Sequence, residues 1–520
     1  MKKYDNLVVN AAGRLVPTEV NGKPVIPFKG LKQHRPVGNK YASPIPTCID
    51  YPEDGNKVVK DLTDALYKCG LKDGMTISTH HHLRDGDFVS NMVFDIAKEM
   101  NIKDLVWLPS ASFPCNEPLI KYLEDGTINH IEGSMNGPLG RFCSEGKMKG
   151  VAVLRSHGGR VQAIQDGEVH IDIAVIAAPT ADAYGNANGV DGTSACGLLG
   201  YALPDMMYAD KVIIVTDNLV PFPCVPMQVL GNYVDYVVAI EKIGHPEKIV
   251  SGTTQVTKSP DRLLIAEMTA QFCQEAGLLK DGCSFQAGAG GTSLSIGIYF
   301  HERLKALGQK ARFAFGGSTQ YLVKMLEDSV LDYILDAQSF DLESIRSIRD
   351  NPNHLDVSVW HAYNYHCKGN YNSMTDIMIL GATEVDINFN GNVVSHSDGY
   401  LLHGIGGWQN CLHAKCVILP VPLFRDRIPV IIDEVTTLCG PGQLVDVIVT
   451  ERGIAINPLR TDLIDKMKNT NLPIRTIQEL KDEAERICGK PVKPKFSDEI
   501  VAIIKWVDGT VIDAVRKVIP

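Results

Sequence analysis

Apolar residues recur along this chain in two rhythms. Over 87–100, Val89, Met92, Val93, Ile96 and Met100 fall three or four positions apart, which places them on one stripe of a helix. The short runs DLVWLP, GVAVL, IDIAVIAAP and KVIIVTD are instead almost unbroken in Val, Ile, Leu and Ala. A strand that apolar must be covered on both faces, as in a parallel sheet held between helices. From about residue 61 the two patterns alternate, so the sequence predicts an α/β protein with mainly parallel sheets.

The pattern also repeats. Asp73-Gly-Met-Thr-Ile-Ser-Thr is echoed by Asp281-Gly-Cys-Ser-Phe-Gln-Ala, 281 − 73 = 208 residues later. Asp172-Ile-Ala-Val-Ile-Ala-Ala, followed by Asp182 and Gly185-Asn186, returns as Asp376-Ile-Met-Ile-Leu-Gly-Ala, Asp386 and Gly391-Asn392, 376 − 172 = 204 residues on. Two similar offsets in the same order predict two related α/β domains, 61–250 and 251–520, with a cleft between them suited to a small molecule. Residues 1–60, rich in Pro, Lys and Gly, read as an extended arm, either a loose tail or a strap onto a partner subunit.

Composition narrows the function classes. The 520 residues are 44% hydrophobic and 22% charged, as in globular proteins, and the net charge is −10. That charge argues against nucleic-acid or membrane-surface binding, both of which need basic excess, so any anionic ligand requires locally placed cations. No run reaches the ~18 apolar residues of a membrane span. The opening MKKYDNLVVN is interrupted by polar residues and does not read as an export signal. The thirteen cysteines, an odd number without framework spacing, read as reduced thiols of a cytoplasmic protein. Cys411, His413 and Cys416 offer three ligands without a second cluster, so no metal is expected.

Three segments carry candidate chemistry. In Gln286-Ala-Gly288-Ala289-Gly290-Gly291-Thr-Ser, glycines between a strand and a helix let backbone N–H groups approach a ligand, and the helix start adds positive dipole. Its spacing fails the dinucleotide fingerprint. Gly404-Ile405-Gly406-Gly407 is a second glycine loop after a hairpin turn near Asn390-Gly391, open enough for a narrow, flexible arm or simply a tight connection. Thr79-His80-His81-His82-Leu-Arg84-Asp sits where the first half should carry its counterpart of the 286–293 loop. A cationic cluster there suits a polycarboxylate, because guanidinium forks match carboxylates. His403 and Glu451 are polar residues near these loops that serve equally well as structural hydrogen-bonding groups.

The loops GAGGTS and GIGGWQ, with APTADAYGNANG at 178–189 and VDVIVTERGIAINP at 445–458, resemble those of the two-domain CoA-transferases. From STHHHLRDGD to the C-terminus the chain resembles the alpha subunits of citrate lyase. One departure from the wider fold family is visible. Where many of its enzymes carry a glutamate nucleophile, on the second strand of the second domain, this chain has Ala311-Arg-Phe-Ala-Phe-Gly-Gly-Ser-Thr319, and the nearest carboxylates are Glu302 and Glu327.

The resemblance implies transfer without a covalent enzyme thioester, converting acetyl-carrier and citrate to citryl-carrier and acetate through a mixed anhydride. It implies no permanently bound cofactor, the thioester belonging to the CoA-like group of an acyl carrier (gamma) subunit, with a beta subunit that cleaves citryl-carrier. A homo-oligomer within a larger complex is expected. Gly288–Gly291 would donate backbone N–H groups to the oxyanion. Gly404–Gly407 would line the pantetheine channel, and His80, His81, His82 and Arg84 would hold citrate. The competing readings are a CoA-transferase that uses a glutamate elsewhere and a scaffold without activity.

Overall fold

A computed structural model describes residues 6–31, 52–80, 82–250, 255–287 and 290–520. Two sheets organise them. The first has six parallel strands in the order Tyr236–Ala239, Lys211–Thr216, Ile173–Ala177, Thr76–Thr79, Leu105–Pro109, Ile128–Ile131. The second has nine: His354–Asp356, Leu331–Ser339, Ala311–Ser318, Cys283–Ala287, Ile377–Ile379, Cys416–Pro420, Val447–Thr450, Gly453–Ile456 and Ile474–Arg475. All neighbours run parallel except Val447–Thr450 against Gly453–Ile456. The Val/Ile runs are buried along their length; Ile173–Ala177 is buried at every position.

The repeat is visible atom by atom. Asp172 accepts from the Thr76 amide at 2.7 Å, and Asp376 from the Ser284 amide at 2.9 Å. Asp182 Oδ1 closes a turn by accepting from Tyr184, Gly185 and Asn186 amides, as Asp386 Oδ1 does from Asn388 and Asn390. The side-chain amides of Asn186 and Asn390 reach back to these aspartates at 2.9 Å in both halves. In the second half this turn spans 387–390, so Gly391 already belongs to the return strand.

The helix expected over 87–100 is Val89–Glu99, with Val93, Phe94 and Ala97 fully buried. Asp87 starts it by accepting from the amides of Val89 and Ser90. GVAVL takes a different course. Its strand, Ala152–Leu154, pairs with Ala502–Ile504 of a terminal hairpin formed by Phe496–Lys505 and Val511–Val518. The described part of the arm, 6–31, folds into two short hairpins against the same structure. The Phe28 amide donates to the Val511 carbonyl at 2.8 Å and the Val511 amide to the Ile26 carbonyl at 2.7 Å, and Val16 and Val20 join Val153, Ile503 and Val511 in a small separate core. Every described cysteine is a free thiol.

Candidate functional site

The C-terminal ends of both sets of strands face a common cavity of about 580 Å³. Crevices outside the carboxyl ends of parallel strands are where α/β proteins hold ligands, because chain reversals there leave backbone groups and short loops exposed. The first half contributes Arg84, Phe113, Ser134, Asn136, His157 and Tyr201. The second contributes Gln286, Gly316, Gly317, Gln338, Phe340, Tyr363 and the loop His403–Gly407. A larger hollow, about 890 Å³, lies at the opposite ends of the first sheet's strands. Its charged walls are already paired internally, Arg155 with Glu132 and Glu168, and Lys505 with Glu168 at 2.9 Å.

The glycine loop at 404–407 forms one wall and fastens the halves together. The His157 amide donates to the Gly406 carbonyl at 2.8 Å, and Gly406 adopts φ +62°, where a side chain is strained. A Cβ on Gly404 would sit 2.5 Å from the Ser134 side chain, so only glycine allows this approach. His403 also faces the cavity and holds the Gly404 carbonyl through Nδ1 at 2.6 Å. Glu451 has a structural task, accepting from the Leu423 amide at 3.0 Å.

Arg84 reaches the cavity from the segment after strand Thr76–Thr79. Its guanidinium lies between two rings, 5.1 Å from the centre of Phe113 and 5.0 Å from that of Phe340. Burial lowers its pKa, partly offset by Tyr201 and Asp85, but an arginine stays charged. A cation stacked between aromatic faces in a half-dry cavity is a strong anchor for a carboxylate.

The histidines beside it do not form the expected cationic cluster. His80 and His82 are 4% and 3% exposed and stack on one another at 5.2 Å, behind the cavity wall. Burial drives the His80 pKa down to about 4; nearby Asp205 opposes the fall and Arg160 adds to it. Burial, with His80 and Arg160, pushes His82 well down too, so both rings are neutral at pH 7. The charge behind them is a closed pair. Arg160 Nη1 and Nη2 donate to Asp205 at 2.8 Å, and Arg160 also donates to Ser78 Oγ at 2.9 Å. His81 lies outside the described residues.

Gly288 and Ala289 also lie outside the described residues. Gly290 and Gly291 follow, the latter opening helix Gly291–Ala306, whose first turn has no side-chain cap. Such a start leaves amide N–H groups without intrahelical partners. Gly291 packs closely on Gln255 and Thr257.

The strand that carries no glutamate, Ala311–Ser318, brings Gly316 and Gly317 to the cavity floor, and no Asp or Glu is among the described lining residues. Glu302 and Glu327 are on the flanking helices Gly291–Ala306 and Gln320–Glu327. Over the glycine floor hang Gln286 and Gln338, with Gln286 Oε1 and Gln338 Nε2 buried and without hydrogen-bond partners among the described residues. Each such orphaned atom costs about 1–3 kcal/mol. On the opposite wall the Tyr201 hydroxyl lies 2.7 Å from His157 Nδ1, and burial together with Arg160 lowers the His157 pKa to about 4. Sequence reasoning missed His157, Tyr201, Gln338 and the Gly316-Gly317 pair. The glycine pair within an otherwise apolar strand was the available signal.

Among the described residues one group, His170, Asp172 and Asp210, approaches the arrangement of a metal site; it lies away from the cavity lining, as do Cys416 and His413. No described helix is long and apolar enough to cross a membrane.

Residues 55–518 match the family model for the citrate lyase alpha subunit. The chain belongs to the citrate lyase alpha-subunit family. It is 39% identical over 464 residues to the citrate lyase alpha chain of Klebsiella pneumoniae, covering 89% of this chain and 91% of that one. Against the alpha chain of Escherichia coli K12 the identity is 37% over the same shares. A crystal structure of the alpha subunit of citrate lyase from Streptococcus mutans, in complex with citrate, superposes with a TM-score of 0.92 at 41% identity, covering 98% of this chain and all of that one. The malonate decarboxylase alpha subunit of Acinetobacter baumannii, at 14% identity and a TM-score of 0.62 over 84% of this chain and 91% of its own, shares the fold alone. The fold is α/β, built on two large, mainly parallel sheets.

Proposed function

We propose that the chain is the transferase subunit of citrate lyase, exchanging acetyl for citryl on the thioester of the acyl carrier subunit. The observation that carries this reading is a cavity with a stacked cation at one side and bare glycine, with no carboxylate, on its floor. A described lining without a carboxylate leaves room for the substrate's own carboxylate to attack.

In this mechanism a citrate carboxylate oxygen attacks the acetyl carbonyl carbon, the C–S bond breaks, and a mixed acetyl–citryl anhydride and carrier thiolate result. The thiolate then attacks the citryl carbonyl, expelling acetate and leaving citryl-carrier for the beta subunit. One thioester replaces another, so no ATP is needed. Arg84 holds a carboxylate of citrate that does not react. The loop 404–407 guides the pantetheine arm. Backbone amides of 288–291, at the uncapped start of helix Gly291–Ala306, steady the oxyanion, a role worth about 3–4 kcal/mol per donor. Holding both reactants in one crevice contributes roughly 7–11 kcal/mol more. The partners are the beta and gamma subunits, with further copies of this chain in the complex.

The test is chemical trapping. After incubation with acetyl-CoA and labelled citrate, label is expected in thioester linkage, while hydroxylamine or borohydride leaves every side-chain carboxylate unmodified. A trapped glutamate would return the protein to the covalent class.

A further inference from the structure

Gln286 and Gln338 stand on the two strands that flank Ala311–Ser318. At their level the middle strand is Gly316-Gly317, paired with Asp336 and Gln338 across a register shift. A Cβ on Gly316 would lie 3.2 Å from Gln286 Cγ and 3.4 Å from the Tyr363 hydroxyl, and one on Gly317 would overlap the Phe340 ring at 2.0 Å. The glycines therefore make the space into which Gln286 and Phe340 lean. Gln286 is 6% exposed and Gln338 7%, yet Gln286 Oε1 and Gln338 Nε2 have no partner among the described residues. Both side chains line the cavity that holds Arg84. Buried polar atoms are nearly always satisfied in folded proteins, so two orphans on side chains that line one hollow point to a ligand that satisfies them.

The two orphans differ in kind, and the difference says what each meets. Gln338 Nε2 is a donor and suits any carboxylate oxygen. Gln286 Oε1 is an acceptor and needs a proton from the ligand. Ionised carboxylates only accept. In a hydroxylated tricarboxylate the sole donor is the hydroxyl. We propose that Gln286 reads the tertiary hydroxyl of the acid substrate, making it the residue that separates citrate from its deoxy analogue, propane-1,2,3-tricarboxylate. Gln338 donates to a carboxylate common to both acids. This rests on the citrate transfer proposed above and adds the group by which the acid is chosen.

The experiment compares the two acids as acceptors from acetyl-CoA, by kcat/KM, in the full chain. Sites built around a substrate hydroxyl reject the analogue lacking it by on the order of 10⁴. Gln286→Met, close in volume but without an acceptor, is expected to shrink the citrate preference at least tenfold, through loss on citrate alone. Gln286→Asn, which withdraws the amide by one methylene, shrinks it too and covers the case in which the methionine variant does not fold. Gln338→Met slows both acids alike and keeps the preference. An unchanged preference in both folded Gln286 variants overturns the assignment, as does an equal change in Gln338→Met. If the unaltered chain transfers to neither acid, the transferase reading itself fails; if it transfers to citrate and only the preference test fails, that reading stands.

Discussion

Ser78 and Gln286 occupy the same place in twin sheets. Ser78 is opposite Ala174 and Gln286 opposite Met378, with Asp172 and Asp376 anchoring the two registers in the same way. Their surroundings have diverged completely. Ser78 is locked into the Arg160–Asp205 pair, while Gln286 lines the cavity with its buried oxygen unmatched among the described residues. Among its described residues, the segment beyond Ser78 spends polar groups on internal support, neutral His80 and His82 backed by a closed ion pair, and sends Arg84 into the cavity. Beside Gln286 the neighbouring strand is bare at Gly316 and Gly317. Of two corresponding strand ends, one is backed by a buried ion pair and the other borders a floor of bare glycine.

The division can be broken most strongly at Arg84. Arg84→Ala removes the charge-assisted contact to citrate, worth about 1.5–3 kcal/mol, so the citrate concentration at half-rate should rise roughly 10- to 150-fold. The acetyl-thioester requirement should barely move. Equal effects on the two substrates would falsify the citrate role of the first-half segment.

A smaller effect comes from pH. The folded pKa values of His80 and His157, about 4, lie below the ordinary 6.5. The unfolded chain therefore binds these protons more readily. The neutral rings' contribution is complete above pH 6.5 and declines as pH falls from there through 4, by about 1–2 kcal/mol between pH 6.5 and 5 for each imidazole. Urea unfolding at pH 7 and pH 5 measures it. Hydrogen exchange should show the loss first in strand Thr76–Thr79 rather than Cys283–Ala287; a uniform loss would mean that the first-half wall is not the dry side.

The smallest effect sharpens the comparison. Ser78→Ala deletes a hydrogen bond within the Arg160–Asp205 pair and should cost about 1 kcal/mol in chemical denaturation, without altering the choice between citrate and its deoxy analogue. A changed choice would show that the buttress also touches substrate.

Much of this architecture was readable beforehand. Unbroken runs such as IDIAVIAAP need cover on both sides, and the offsets of 208 and 204 residues match the paired aspartates of the two sheets. The glycine loop at 404–407 was legible as a place where backbone is left bare, but its letters suit a tight connection as well as a ligand channel. The triple-histidine segment misled because the letters do not show burial. Asp205, which pairs with Arg160 behind those rings, is 205 − 80 = 125 residues from His80. His157 and Tyr201 carry no motif and gain meaning only when the two halves close. GVAVL looked like a core strand of the first sheet, and nothing near it announces that its neighbour is Ala502–Ile504.

That last pairing constrains how the chain is made. Val153 and its strand partner Ile503 are separated by 503 − 153 = 350 residues, which at about 5–20 residues per second means roughly 20–70 s of synthesis between the two. Throughout that interval Val16, Val20 and Val153 lack the partners Ile503 and Val511 that cover them in the folded chain. A polypeptide that ends before residue 500 thus leaves these valines without the cover of Ile503 and Val511.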